Sequence, residues 1–127
     1  MHKDLFQNLW ESYPQLFSDP ELQEIQCHEG WSDLLDSLLR TLQNHQDSNP
    51  QMPQIRLLQV KEKWGELRVY FSGGDAFCTG AIALATQLSL AICEACGRPG
   101  TLIGERWVKV RCDHHLNWAP GQLEDEI

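Results

Sequence analysis

Apolar residues fall at helical spacing twice in the first third of the chain. Leu5, Phe6, Leu9, Trp10 and Tyr13 form one stripe, which Pro14 closes. Trp31, Leu34, Leu35, Leu38, Leu39 and Leu42 form the second, with Asp33, Asp36 and Arg40 on the opposite face. Between them Leu16 and Phe17 make a short apolar anchor. Asp19 ahead of Pro20 predicts an N-capped helical turn reaching Ile25. The polar stretch from Asn44 to Pro53, with Pro50 inside it, predicts a loop.

From Ile55 the period changes. Residues 55–63 and 67–72 read as strands, and Lys63-Trp64-Gly65-Glu66 between them predicts a β-hairpin with glycine at its turn. Gly73-Gly74 ends the second strand. Asp75 then predicts the cap of a third helix, from Ala76 to about Ala91, rich in alanine and leucine. That helix runs straight into Cys93. Thr101–Ile103 and Trp107–Arg111 predict a second, smaller hairpin. The expected fold is α+β: N-terminal helices and a long helix on a small antiparallel hairpin sheet, closed by a C-terminal metal-bound hairpin. Residues 1–118 are expected to form one domain with residues 93–118 as its metal module, and 119–127 an acidic, mobile tail.

Composition narrows the class. A chain of 127 residues with 42% hydrophobic and 22% charged residues has room for one ordinary globular core. No segment approaches the ~20 apolar residues of a membrane span, and the first residues lack the apolar core of a secretory signal. A cytoplasmic, reducing location is therefore expected, where five cysteines point to metal or free thiols before disulfides.

The spacing of four ligand types is the strongest chemical signal. Cys93-x2-Cys96 and Cys112-x2-His115 are two short pairs separated by a hairpin, the pattern of a zinc ribbon. A CxxC turn sets both sulfurs on one side of a tight loop, and the hairpin returns the second pair to complete a tetrahedron. Three thiolates and one imidazole saturate zinc, so the expected Zn2+ is structural, with no open position for a substrate. His114 is the rival fourth ligand, and the CxxH spacing favours His115. Cys27-His28 is a weaker signal, better read as a core cysteine, and Cys78 is a spare thiol.

The residues Gln59-Val-Lys-Glu-Lys-Trp-Gly-Glu-Leu-Arg-Val-Tyr70, Cys93-Glu-Ala-Cys-Gly-Arg-Pro-Gly100, Trp107 and Arg111-Cys-Asp-His-His115 resemble a family of small, mostly uncharacterised bacterial and phage proteins. Tyr13-Pro-Gln-Leu-Phe17 and Gly30-Trp31 extend the likeness over nearly the whole chain. It departs at Glu66, where a second glycine is expected. The resemblance implies the fold and the zinc, and it carries no established activity.

No catalytic residue is expected. Gly73-Gly74-Asp75 lacks the glycine spacing and the lysine of a phosphate loop, and Lys61-Glu62-Lys63 reads as a solvated strand edge. Charge then selects among binding functions. The net charge is -8, with 12 acids against 6 bases in residues 1–92 and 3 acids against none in 119–127. Such a body is not steered toward nucleic acid and suits a basic protein partner. The favoured expectation is a non-enzymatic inhibitor or immunity-type protein that neutralises a basic toxin or nuclease. Its contact residues would include Trp64, Asp33, Asp36 and Glu29. The alternative is a zinc-ribbon accessory protein touching nucleic acid through Arg98, Arg106, Lys109 and Arg111.

Overall fold

The computed structural model describes residues 3–118, and in it three helices and two small antiparallel sheets build the α+β fold. Helices α1 (Lys3–Ser12) and α2 (Ser32–Ser48) carry the two stripes, and a 3-10 turn over Glu29–Trp31 leads into α2. Phe6 and Leu9 of α1 and Leu35, Leu39 and Leu42 of α2 are buried together, because a 3.6-residue period stacks them on one face. Trp31 is completely buried, and its indole N–H donates to the Ile92 carbonyl at 3.0 Å, satisfying the ring's only polar atom.

Two expected boundaries move. Helix α2 continues through residues 44–48 of the expected loop. The buried Gln46 accounts for this: its amide donates to the Met52 carbonyl at 3.2 Å and accepts from the Ile55 N–H at 2.8 Å. One side chain thus holds both the end of α2 and the loop that follows. Near Asp19 the helical turn stops early. Asp19 accepts from the Glu21 N–H at 2.8 Å, but residues 22–25 are not helical. The chain there has to extend so that Gln26 can bridge alongside Lys61.

Strands β1 (Arg56–Lys63) and β2 (Glu66–Ser72) pair in antiparallel register from Lys63 opposite Glu66 to Arg56 opposite Ser72, with a bulge between Leu57 and Gln59. Trp64 and Gly65 form the turn with φ of 57° and 83°, the two positive values a two-residue hairpin turn needs. Leu57, Val60, Leu67 and Val69 face inward. Helix α3 (Ala76–Ser89) lies against β2 and α2, burying Cys78, Ile82 and Ala85. Thr86 Oγ1 donates to the Leu67 carbonyl and Ser89 Oγ accepts from the Leu67 N–H, both at 2.9 Å, so the helix is bolted to the strand by polar side chains.

The expected solvated edge at Lys61-Glu62-Lys63 is covered in part, with Lys63 exposed and Glu62 shielded. Gln26 donates to the Val60 carbonyl at 2.9 Å and accepts from the Glu62 N–H at 3.0 Å. The Glu62 carboxylate, largely shielded, pairs with Lys109 and accepts from the Gly65 N–H. A second sheet joins β3 (Thr101–Ile103) to β4 (Lys109–Arg111). Among the described residues no helix is long and apolar enough to cross a membrane. Residues 119–127, including the acidic Glu124, Asp125 and Glu126, lie outside the described residues.

Candidate metal centre

The centre is assembled from two short turns. Cys93 comes four residues after the end of α3 at Ser89, and the loop after it is closed by the Gly97 N–H donating to the Cys93 carbonyl at 2.8 Å and the Cys93 N–H donating to the Arg98 carbonyl at 2.7 Å. These bonds hold the two sulfurs of the CxxC pair on one side. Cys112 follows β4 and caps a 3-10 turn over Asp113–His115, whose His115 N–H donates to the Cys112 carbonyl at 3.0 Å. That turn brings the imidazole back under the sulfur.

Cys93, Cys96, Cys112 and His115 converge, with their ligand atoms all within 4.8 Å of one another. Cys96 Sγ lies 3.6 Å from Cys112 Sγ, and His115 Nδ1 lies 3.2 Å from Cys112 Sγ and 3.9 Å from Cys93 Sγ. Tetrahedral coordination with metal–sulfur bonds of ~2.3 Å and metal–nitrogen bonds of ~2.0 Å requires edges of roughly 3.5–3.8 Å. The four residues therefore fit a single ion held on all four sides. His115 offers Nδ1, and His114, the rival, is exposed outside the group. All five cysteines stand outside any disulfide.

The electrostatics favour a thiolate at Cys112. Burial works to raise this thiol, but hydrogen bonds from His115, the His114 backbone and the thiols of Cys96 and Cys93 outweigh it and bring it down to about 6. Cys96 moves the other way, raised first by loss of water and then by its sulfur neighbours.

Behind the ligands lies a buried ion pair that sequence patterning missed. Glu94 and Arg111 are 2% and 1% exposed, with Glu94 Oε1 3.6 Å from Arg111 Nη1. Glu94 Oε2 accepts from the His28 N–H at 3.1 Å, and the Glu94 carbonyl accepts from the Gly30 N–H at 2.8 Å. Gly30 touches the backbone of residues 93 and 94 so closely that a Cβ would overlap their carbonyls. The Arg111 guanidinium lies 4.7 Å over the ring of Trp118. Burial raises the Glu94 carboxyl, with the Glu62 charge adding to it. Each of the two residues adjoins a ligand cysteine in sequence, which was the available signal. The sequence instead offers Arg111 as one of four bases for nucleic acid.

The expected contact residues are not gathered into one site. Trp64 is 62% exposed at the β1–β2 turn. Asp33 is exposed on α2. Asp36 is committed to the fold, accepting from the Tyr13 hydroxyl at 2.7 Å and pairing with Arg40 at 2.9 Å. Glu29 opens the 3-10 turn and is half-buried. Of the four bases near the metal, Arg111 is buried and Lys109 is tied to Glu62, leaving Arg98 and Arg106 exposed. Cys27 is a core residue, as its sequence context indicated, and burial pushes its thiol far up. Trp107, 57% exposed, and Leu102, 50% exposed, were not put forward as contact residues by the sequence.

No protein-family model, curated protein or solved structure matches this chain.

Proposed function

We propose that this chain is a metal-stabilised protein-binding protein whose anchor is Trp64. The observation that carries the reading is the conformation of that residue. It holds φ of 57° in a two-residue turn where asparagine, aspartate or glycine is ordinarily preferred, and it is 62% exposed. Neither the turn nor the core calls for a tryptophan there. The neighbouring Gly65 rests against Leu102 and Val108, so the turn abuts the second hairpin, which exposes Leu102 and Trp107. Trp64 sits in the β1–β2 turn, Leu102 on β3 and Trp107 in the loop between β3 and β4, and exposed aromatic and aliphatic side chains of this kind are the usual makings of an interface hot spot.

The ion in the centre is read as zinc, because a set of three sulfurs and one nitrogen in a closed tetrahedron suits it and leaves no coordination site for chemistry. Its role is to hold the second hairpin in place behind the anchor. In its finer form the proposal is an inhibitor or immunity-type protein for a basic toxin or nuclease, in a family of bacterial and phage proteins. That form rests on the net charge of -8. The nucleic-acid alternative is weakened, since Arg98 and Arg106 alone of its four bases are free to reach phosphates.

The test is capture of a partner on the wild-type chain followed by binding kinetics across a salt series. Trp64→Ala should speed dissociation by roughly 30-fold or more, the scale of a hot-spot residue. Asp33→Lys should slow association at low salt and change dissociation little. An association rate indifferent to salt would remove the basic-partner form. Retention on duplex DNA or RNA at physiological salt would favour the alternative.

A further inference from the structure

Three metal-ligating side chains of different chemistry meet at the junction of α2 and α3, apart from the four residues of the first centre. His45 stands in the last turn of α2, Asp75 caps α3, and Cys78 lies in the first turn of α3. His45 Nε2 is 2.9 and 3.0 Å from the two Asp75 carboxylate oxygens, and Cys78 Sγ is 3.7 Å from Asp75 Oδ1. The ligand atoms of all three residues lie within 4.8 Å of one another. We propose that His45, Asp75 and Cys78 form a second, open site for a zinc-class divalent cation.

The case rests on geometry, donor type and the surrounding field. Tetrahedral edges for nitrogen, oxygen and sulfur donors fall at roughly 3.2–3.7 Å, so the His45–Asp75 and Asp75–Cys78 edges are within a few tenths of an ångström of what an ion needs, and the His45–Cys78 edge, within 4.8 Å, has at most about an ångström to close. The imidazole is already oriented, stacked on the Phe77 ring at 4.1 Å between centroids and 20° between planes. A site is better formed when its ligands do not have to be ordered on binding. Binding replaces the proton on the Cys78 sulfur, which leaves to water, and the ion takes its place between sulfur and carboxylate. The N-terminal end of α3 favours both resulting anions, while the C-terminal end of α2 favours the cation itself.

The two centres differ in kind. In the first, four ligand atoms are arranged to close around an ion. In the second, three protein ligands leave one position, and Asp75, with its side chain 46% exposed, opens it to solvent. Three protein ligands and a solvent position make an exchangeable site, or one that can take an oxygen or nitrogen donor from a partner. Imidazole, carboxylate and thiolate together select zinc or cobalt over calcium and magnesium, which take oxygen ligands alone.

The experiment is metal counting on the full chain after equilibration with Zn2+ alone, repeated with Co2+, whose absorption reports a thiolate ligand. Wild type should take up two ions, one tight and one that a weak chelator removes. Asp75→Asn is the discriminating variant, because asparagine caps a helix as well as aspartate and so keeps α3 while removing a charged ligand. It should lose the weaker ion with little change in melting temperature. His45→Gln should lower affinity at that site by more than about 100-fold, beyond the 10–100-fold typical of outer-shell changes. Cys78→Ser should abolish the cobalt–thiolate signal of the second equivalent only. If wild type saturates at one ion, or if the second ion persists in both Asp75→Asn and His45→Gln, the site does not exist and the cluster is only a capped helix with a histidine bonded to its cap.

Discussion

The buried cluster that spans Phe6 to Ala85 is apolar almost throughout, with Trp31, Leu35, Leu39, Leu42 and Leu57 at its centre. The cluster of residues 93–118 consists of Cys93, Ala95 and Cys112, with Trp118 packed against it. The first region can be held by the water its side chains no longer touch, at about 25 cal/mol per Å² of apolar surface. The second region has too few such side chains for that. In their place it has four ligand atoms, a tightly bonded turn and the Glu94–Arg111 pair. On the metal-stabilised reading proposed above, a hydrophobic body and a coordination-dependent appendage are stabilised by different physics within one small α+β chain, and they should respond differently to the same insult.

The largest expected difference comes from removing the metal. Structural zinc in thiolate sites contributes on the order of 10–16 kcal/mol of apparent binding free energy, comparable with the stability of a whole domain. Cys96→Ser, or a strong chelator, should unfold residues 93–118 while α1, α2 and the β1–β2 hairpin persist. Amide hydrogen exchange would read this directly. Equal loss of protection in both regions would mean that they form one cooperative unit, and no loss would mean that the ion is not structural.

A smaller effect should follow from the ion pair. Arg111→Leu leaves the Glu94 carboxylate buried without its cation, and breaking one half of such a pair costs roughly 3–5 kcal/mol. Leu42→Ala in the body should cost a similar ~2–5 kcal/mol through the cavity it leaves. The distinction lies in where the damage falls: chelation should add little further damage to residues 93–118 in Arg111→Leu, but its full effect in Leu42→Ala. Urea unfolding with and without chelator separates the two.

The smallest effect is the one driven by protons. Metal binding requires thiolates, so protons compete with the ion and affinity falls as pH falls. Cys96, raised above its ordinary 9.0, brings that competition in early. Cys112, at about 6, adds its own only as pH drops through that value. The affinity should therefore steepen below about pH 6 by roughly a further tenfold per pH unit. A competition titration with a coloured chelator measures it. A slope that does not change near pH 6 would argue against a lowered Cys112 thiol.

Much of this was legible in the sequence, for reasons that differ by region. The α2 stripe, the hairpin around Trp64-Gly65, and the Cys93, Cys96, Cys112 and His115 set are local patterns with fixed spacing, so each could be read without knowing what lies nearby. What escaped depends on contacts between distant segments. Gln46 extends α2 because of Ile55, Glu62 is shielded because of Lys109, and Arg111 turns inward because of Glu94 and Trp118. Polar residues were misplaced wherever a partner far along the chain outweighed their own preference for water. Asp36 is the same lesson within the proposed contact surface, since the Tyr13 hydroxyl claims it.

The close approach of Gly30 to residues 93 and 94 has a consequence for the order of events when the chain folds. Closing contacts between residues so far apart in sequence costs loop entropy before anything is gained, and such contacts form late. The β1–β2 hairpin and the helices can assemble from neighbours in sequence. The clasp at Gly30, together with the His28 bond to Glu94 and the Trp31 bond to Ile92, has to wait for its second half to be synthesised. Capture of the proposed metal would wait longer still, until His115 has left the ribosome. The body is thus the template on which the appendage is finished, and a nascent chain short of metal would stall with a complete core and an open clasp.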